Sequence, residues 1–250
     1  MKAAVYVGTR NMYPHMVTAS KSLLANSDVD KIFFLIEDDK FPEYLPDCIE
    51  TINVSKQPYF KPTSPNFRLK WTYMTLLRAA LPKVFPDLDR ILSLDDDVIA
   101  VDDVSDVWDL PIDDYYYSAA REPLKSTGGK DYKFQLYTQM GVVLFNLTKL
   151  REDGMVDKVI EALNAYFFSI AEQDCMNLLC QGHIYPMPCE YNQTNYTERS
   201  EHPRLIHYAA VPFKRWTNEP PVIKYRNMSW SEVMWRHDEH TKGAKSATEV

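Results

Sequence analysis

Short apolar runs along the chain are separated by segments in which apolar residues recur every three or four positions. The runs at 3–7, 32–36 and 49–54 predict buried strands, and the helical spacing across 16–24 predicts a helix between the first two. Strand, helix and strand in this order begin a βαβ unit, in which the strands pair in parallel. The pattern therefore predicts an α/β chain with a mostly parallel central sheet flanked by helices.

The same alternation continues through most of the chain. Helical spacing predicts a helix over 67–81, which Pro82 is expected to end, and another over 156–170. Apolar and β-branched runs predict further strands at 115–120 and 205–208.

The C-terminal residues beyond Pro221 are polar, with aromatic and apolar side chains spaced over 230–235. This spacing favours an amphipathic helix that packs on the core. Peripheral contact with a membrane surface is the alternative, which the shortage of basic residues disfavours. Residues 242–250 are expected to form a disordered tail.

Composition and charge narrow the classes of protein. The chain has 250 residues, 45% hydrophobic and 25% charged, which is enough for one substantial core. A net charge of −7 repels phosphate backbones, so no nucleic-acid partner is expected. No apolar stretch is long enough to span a bilayer, and the first residues lack the apolar core of a signal peptide. These features predict a cytoplasmic protein and leave its oligomeric state open.

A group of potential zinc ligands needs to be considered beside these features. Cys175, Cys180, His183 and Cys189 lie close together in the sequence. Cys175 lies in an apolar, helix-like segment, so zinc is the weaker alternative. Buried free thiols are the expected state in a cytoplasmic chain of this size.

An acidic run is the main candidate for chemistry. The apolar run 91–94 predicts a buried strand that ends in Asp95, Asp96 and Asp97. Repulsion among three adjacent carboxylates favours either strong solvation or a bound cation. In an open α/β sheet, ligands gather at the carboxyl ends of the strands, where this run lies. A solvated loop cap is the alternative, whereas an EF-hand is excluded because Ile99 occupies a ligand position.

The acidic run also carries a family resemblance. Residues 94–99, together with 102–108, resemble the Asp-any-Asp block of family 8 glycosyltransferases. The resemblance implies that Asp95 and Asp97 hold Mn²⁺, with Mg²⁺ as the alternative, and that the ion bridges the diphosphate of a UDP-sugar. It also implies that Asp95 and Asp96 belong to the donor-binding residues.

Two segments before the acidic run are similar to the nucleotide-binding blocks of the family. Thr9, Asn11 and Tyr13 follow the first strand, where family members contact uracil and ribose, although Tyr13 stands one residue late. Thr and Asn also serve as caps in strand-to-helix turns. Arg78 matches an arginine that supports the nucleotide site, by neutralising diphosphate or by holding an aspartate in place. A surface ion pair is the alternative for Arg78.

Two segments after the acidic run resemble the sugar-binding blocks. Residues 137–147 are similar to a family strand that contacts the transferred sugar or the acceptor, with Gln139 in place of Asn. Glu172 and Gln173 resemble an Asp-Gln pair that lies under the reacting face of the donor sugar, and they are the candidate catalytic residues. An acid in a first helical turn also simply complements the helix dipole.

The last block is similar to a family segment that contains a histidine, a glycine and a lysine. It implies that His207 is the third metal ligand, as a neutral imidazole. It also implies that Lys214 neutralises the diphosphate as the leaving group forms. Ala210 replaces the glycine, and Lys214 lies one residue further from His207 than in the family, so this loop is expected to bulge.

The ordered blocks imply the GT-A fold, which is Rossmann-like, as a single domain over 1–220. Its nucleotide-sugar-binding half is expected at 1–110 and its acceptor half at 111–220, with an extension at 221–250.

The implied reaction moves glucose or galactose from a UDP-sugar to a hydroxyl acceptor, such as a glycan, with retention of anomeric configuration. A non-catalytic nucleotide-sugar-binding protein is the alternative, motivated by the substitutions at Gln139, Glu172 and Ala210. A nucleotidyltransferase would need a glycine-rich phosphate loop near the first strand, which Gly8 alone does not supply.

Overall fold

A computed structural model of the chain describes residues 1–68, 72–122, 136–197 and 199–248. The strands are β1 (Ala3–Val7), β2 (Lys31–Ile36), β3 (Ile49–Asn53), β4 (Arg90–Leu94), β5 (Val98–Ala100), β6 (Tyr117–Arg121), β7 (Thr138–Asn146), β8 (Ile184–Met187) and β9 (Leu205–His207). The helices are α1 (Tyr13–Asn26), α2 (Thr72–Leu76), α3 (Leu81–Val84), α4 (Leu147–Glu152), α5 (Met155–Ala165), α6 (Ala171–Leu179), α7 (Phe213–Trp216), α8 (Pro220–Asn227) and α9 (Trp230–Thr248).

The central sheet has the strand order β3-β2-β1-β4-β7-β6-β8. Neighbours β3, β2, β1 and β4 pair in parallel, and β6 pairs in parallel with β8. Strand β7 runs antiparallel to both β4 and β6. The prediction of a mostly parallel sheet is therefore confirmed.

Side chains of successive residues on the central strands enter different hydrophobic clusters. On β1, Ala4 and Tyr6 join the cluster that contains α1, whereas Ala3 and Val5 join the cluster that contains α5 and α6. Both faces of the sheet are thus covered, as a parallel sheet requires. This explains why its strands appear in the sequence as continuous apolar runs.

Strand order reverses at β1, because β2 and β3 lie on one side of it and β4 on the other. A crevice opens at the carboxyl ends of the strands at such a switch point. The loop after β1 and the acidic run after β4 both lie there. The topology therefore brings the two predicted donor-binding segments to one edge of the sheet.

A second, two-stranded sheet connects the acidic run to the end of the chain. Strand β5 begins directly after Asp97 and pairs antiparallel with β9, in a register that places Val98 opposite His207. This pairing carries His207 to the acidic run across more than a hundred residues of sequence.

The helical segment around Pro82 differs from its prediction. Within the described residues, α2 begins at Thr72, and a 3-10 stretch leads into α3, which ends at Val84. Pro82 does not end the segment, because it occupies the first turn of α3, where its missing N–H is not needed. The helix predicted over 156–170 is α5, which ends at Ala165, five residues earlier than expected.

The C-terminal helices belong to the main core. Val222, Tyr225 and Val233 are buried in the cluster that contains α1, and His237 Nε2 lies 3.0 Å from the carbonyl oxygen of Val29. Helix α9 continues to Thr248, so a disordered tail starting at residue 242 is not observed. None of the helices in the described ranges has the length and apolarity needed to cross a membrane.

Candidate active site

Three side chains converge beside the switch point. Asp95 follows β4, Asp97 precedes β5, and His207 ends β9. Each offers one ligand atom, and these atoms lie within 4.8 Å of one another. His207 Nε2 lies 3.2 Å from Asp97 Oδ1 and 3.7 Å from Asp95 Oδ2. The three residues that the resemblance assigned to the metal are therefore brought together.

Backbone hydrogen bonds fix this cluster in place. The amide N–H of Asp95 donates to the carbonyl of Gly141 at 2.8 Å, and the N–H of Tyr208 donates to the carbonyl of Asp97 at 3.1 Å. A Cβ atom on Gly141 would lie 2.2 Å from His207 Cε1 and 2.7 Å from Asp95 Oδ2. The close approach of β7 to the cluster thus requires glycine at position 141.

The chemistry of these donors fits a divalent cation. Two carboxylates and one imidazole suit Mn²⁺ and also Mg²⁺. Among the described residues, Asp97 Oδ1 is a buried oxygen without a hydrogen-bond partner, and it faces His207 Nε2. Burial and the charges of Asp97 and Asp95 raise the pKa of Asp96 to about 8. A cation in the cluster would give the unpaired oxygen a partner and would reduce the repulsion among the three carboxylates.

Arg78 is an internal ion-pair partner and not a surface residue. Its side chain is buried, and it donates to Asp95 Oδ1 at 2.6 Å, to Glu172 Oε1 at 2.5 Å and to the carbonyl of Met140 at 2.6 Å. Two roles were considered for Arg78, neutralising diphosphate and holding an aspartate in place. Its contacts match the second. The guanidinium binds Oδ1 of Asp95 and leaves Oδ2 facing His207.

Glu172 and Gln173 lie in the first turn of α6, below the cluster. Glu172 is buried in its ion pair with Arg78. Gln173 Nε2 donates to Glu122 Oε2 at 2.7 Å and to the Tyr137 hydroxyl at 3.1 Å, and its Oε1 accepts from the amide of Met140 at 3.1 Å. Both side chains are consequently held rigidly against β7.

Gln139 and Asn192 connect strand β7 to His207. Gln139 Oε1 accepts from the amide of Gly141 at 2.6 Å and from Asn192 Nδ2 at 3.0 Å. Asn192 Oδ1 lies 2.9 Å from His207 Nδ1. All of these side chains are buried.

The loop after β1 holds the residues expected at the nucleoside. Thr9 is half-buried and its carbonyl accepts from the amide of Met12 at 2.8 Å, while Asn11 is exposed. Tyr13 is only 2% exposed, and its hydroxyl donates to Asp38 Oδ2 at 2.8 Å. Its ring packs against Phe41, with the centroids 4.9 Å apart. The structure therefore places Tyr13 in the core, where its ring does not offer a face to a base.

The loop that leads to Lys214 has the backbone conformation that glycine favours. Ala210 has a φ of 60°, in the left-handed region, at the position where the family pattern has Gly. The side chain of Lys214 lies outside the part of the chain that the structure describes. Ala171, directly before Glu172, also has a positive φ, of 35°. Backbone strain of this kind concentrates at functional sites.

Several residues of this region were not identified as functional from the sequence. Glu122 and Tyr137 orient Gln173. Glu122 belongs to no motif, and Tyr137 begins the block 137–147, in which only Gln139 was singled out. Glu37 and Asp38 directly follow β2 at the same edge of the sheet as the acidic run. Their position at a strand end was the available signal for them.

The zinc alternative finds no support in the described residues. Their only group of three or more potential metal ligands is the one formed by Asp95, Asp97 and His207. Cys175 and Cys180 are buried free thiols, as predicted, and burial raises the pKa of Cys175 to about 12. They pack in the core as small apolar side chains.

Sequence comparisons agree with the motif blocks. The sequence model described as Glycosyl transferase family 8 matches residues 4–219. A lipopolysaccharide 1,2-glucosyltransferase from Escherichia coli is 30% identical over 189 residues, which cover 65% of this chain and 54% of that enzyme. A glycosyltransferase named GlyF from Streptococcus pneumoniae is 21% identical over 96% of this chain and 65% of its own length. The chain thus spans 54% and 65% of the lengths of these two curated relatives.

Solved structures show the same fold. The galactosyltransferase LgtC, in complex with donor and acceptor sugar analogues, superposes with a TM-score of 0.69 over 94% of this chain and 99% of its own, at 18% identity. GlyE from Streptococcus pneumoniae gives a TM-score of 0.70 over 96% of this chain and 64% of its own, at 19% identity. The expected GT-A fold is confirmed.

Proposed function

The chain belongs to glycosyltransferase family 8, and from this premise we propose that it transfers a hexose from a UDP-sugar to an acceptor hydroxyl with retention of configuration. The convergence of Asp95, Asp97 and His207 at the switch point of the sheet is the observation that carries the proposal. These residues would hold Mn²⁺, with Mg²⁺ as the alternative. When bound, the ion would neutralise the donor diphosphate and act as a Lewis acid toward the departing UDP.

Arg78 and Glu172 act on the geometry of the cluster. Arg78 binds one oxygen of Asp95 and so orients the other toward His207 and the proposed cation position. Glu172 balances the charge of Arg78 in a buried pair, which keeps the guanidinium from drawing Asp95 away. In this proposal both are positioning groups, although the resemblance placed Glu172 nearer to the reacting sugar.

Gln173 and Gln139 are held beside the start of β7, and we assign both to the transferred sugar. Gln173 is fixed by three hydrogen bonds, so its amide dipole is preorganised to support positive charge that develops at the anomeric carbon. No side chain is assigned as general base. The departing diphosphate oxygen, on the same face as the attacking hydroxyl, accepts the proton.

The nucleoside would lie over the loop after β1. Thr9 and Asn11 line the mouth of this crevice, and amide and hydroxyl groups suit the uracil and ribose edges. Asp38 is held by the Tyr13 hydroxyl at the same edge and is an added candidate for a ribose hydroxyl. Lys214 is proposed to neutralise the diphosphate, as the resemblance implies.

The names of the relatives support the choice of substrates. One is a lipopolysaccharide glucosyltransferase, and another was solved with donor and acceptor sugar analogues. We therefore propose UDP-glucose or UDP-galactose as donor and a glycan hydroxyl as acceptor. The net charge of −7 argues against nucleic acid as acceptor. A cytoplasmic location is part of the same proposal.

Calorimetric titration of UDP-glucose and UDP-galactose, with Mn²⁺ and with chelator, tests the proposal. Binding that needs Mn²⁺ and is lost in Asp97→Ala is the expected result. Asp102→Ala, which removes an exposed carboxylate from the same acidic segment, is the matched control and should bind normally. Failure of both donors to bind with Mn²⁺ would refute the donor assignment. Binding without hydrolysis or transfer would favour the non-catalytic alternative.

A further inference from the structure

His207 presents two chemically different ring nitrogens to its surroundings. Nε2 faces Asp97 and Asp95, at 3.2 and 3.7 Å from their oxygens. Nδ1 faces Asn192 Oδ1 at 2.9 Å. A neutral imidazole carries one proton, so it can bind a cation through Nε2 only when that proton is on Nδ1.

The direction of each hydrogen bond can be followed from the backbone to His207. The amide of Gly141 can only donate, so the atom that it meets at 2.6 Å must be the oxygen of Gln139. Asn192 points an atom at this same oxygen from 3.0 Å, and this atom must therefore be its donor nitrogen. Asn192 Oδ1, on the other side of the amide, is consequently left to accept from His207 Nδ1. A flip of either amide would bring two donors or two acceptors together.

We infer that this amide relay, made of the Gly141 N–H, Gln139 and Asn192, accepts the Nδ1–H of His207 and so holds the ring with Nε2 directed at Asp95 and Asp97, as a cation ligand. Asn192 and Gln139 are positioning residues, because they act through His207 and not on the ion or the donor. The inference rests on the proposed function, in which the cluster binds a divalent cation. It gives Gln139 a role beyond the sugar contact that the resemblance implies.

Burial is what makes the relay decisive. Asn192 and His207 are buried, so water cannot replace a lost hydrogen bond at Nδ1 without reorganisation of the site. The relay also joins three separate elements: strand β7, the turn after the 3-10 stretch Cys189–Tyr191, and strand β9. It thus couples the orientation of the ligand to the folding of the acceptor half. The outer partners of a ligating histidine commonly tune metal affinity by 10- to 100-fold.

One measurement on the full chain tests the inference without relying on activity. It is the affinity for Mn²⁺ alone, from the electron paramagnetic resonance signal of free Mn²⁺. The variants are Asn192→Leu, which removes the acceptor, and Asn192→Asp, which keeps an acceptor toward Nδ1.

Asn177→Leu is the matched control. Asn177 is an equally buried amide on the other side of the same strand, and its bonds run to the backbone of Thr138 and Gln173. The Asn177→Leu variant should destabilise the fold as much as Asn192→Leu while leaving the Mn²⁺ affinity unchanged within about twofold.

The expected result is Mn²⁺ binding by the wild type and, with similar affinity, by Asn192→Asp. Asn192→Leu should bind Mn²⁺ on the order of 10- to 100-fold more weakly. Mn²⁺ affinity that is unchanged in Asn192→Leu, or equally reduced in Asn177→Leu, would overturn the inference alone. A wild type that binds no Mn²⁺ would refute the proposed function, and the inference with it.

Discussion

Replacing Gly141 with alanine should break the site from within the sheet. The new Cβ atom would lie 2.2 Å from His207 Cε1, 2.7 Å from Asp95 Oδ2 and 2.9 Å from His207 Nδ1. Carbon atoms pack at about 3.5–4.0 Å, so the imidazole must retreat by more than about 1 Å. The ring has no free direction, because Asn192 holds Nδ1 and the backbone N–H of His207 donates to the carbonyl of Gln193.

Two magnitudes follow from this clash. Overpacking of a buried position costs about 1–3 kcal/mol of unfolding free energy, which lowers Tm by about 2–4 °C per kcal/mol in a domain of this size. Loss of the groups that orient a metal ligand commonly weakens metal affinity by about 10- to 100-fold, and a displaced ligand ring should cost at least as much. Gly141→Ala should therefore lose most Mn²⁺ affinity while remaining folded at room temperature.

Thermal unfolding and Mn²⁺ titration by electron paramagnetic resonance measure the two effects separately. Gly154→Ala is the control, since a Cβ there meets nothing within 4 Å although its φ is 61°. It should lose stability through backbone strain and keep its Mn²⁺ affinity. Combining Gly141→Ala with His207→Ala should remove most of the added destabilisation, because the two changes share one contact. Wild-type Tm and Mn²⁺ affinity in Gly141→Ala would refute the reasoning.

Three further substitutions test other parts of the structure. Arg78→Met should lower the free energy of unfolding by about 3–5 kcal/mol in urea, because it leaves Glu172 buried without its partner. The double variant with Glu172→Met should recover part of this loss. A single variant as stable as the wild type would contradict the ion pair. Ala210→Gly should stabilise the chain by up to about 1 kcal/mol by relieving the left-handed backbone at φ 60°, and a lower urea midpoint would show that the strain is absent. Tyr13→Phe should lower Tm by about 2–4 °C through loss of the bond to Asp38 and leave UDP-sugar affinity unchanged in calorimetry, whereas weaker donor binding with unchanged Tm would restore a direct role for Tyr13 at the base.

The local pattern of the sequence was enough to predict the class of fold. Apolar runs along 3–7, 32–36 and 91–94 became central strands because burial on both faces of a sheet requires continuous apolar residues. The position of Asp95 and Asp97 after one of these strands followed from the same pattern. Helix ends were predicted less well, as Pro82 shows, since proline is also compatible with a first helical turn.

The partners of these residues were decided by tertiary structure. Residue type and periodicity gave His207 no sign of a metal ligand, and only the family resemblance assigned it to the metal. It faces Asp97 because β9 pairs with β5 in one particular register. Arg78 could have been a surface residue on a helix, and its burial between Asp95 and Glu172 depends on how α6 packs under β7. Tyr13 is the opposite case, because the resemblance expected it at the donor base and the fold buries it in the core.

Periodicity and residue type report what each segment needs from its surroundings, namely burial, solvation or a counter-charge. They therefore determined the strands, the helices and the place of the acidic run in this protein. Which groups meet those needs depends on distances through space, and strand pairing sets these distances between residues far apart in the chain. For this reason the distances within the ligand cluster, the pairing of Arg78 with Glu172 and the relay behind His207 were visible only in the folded structure.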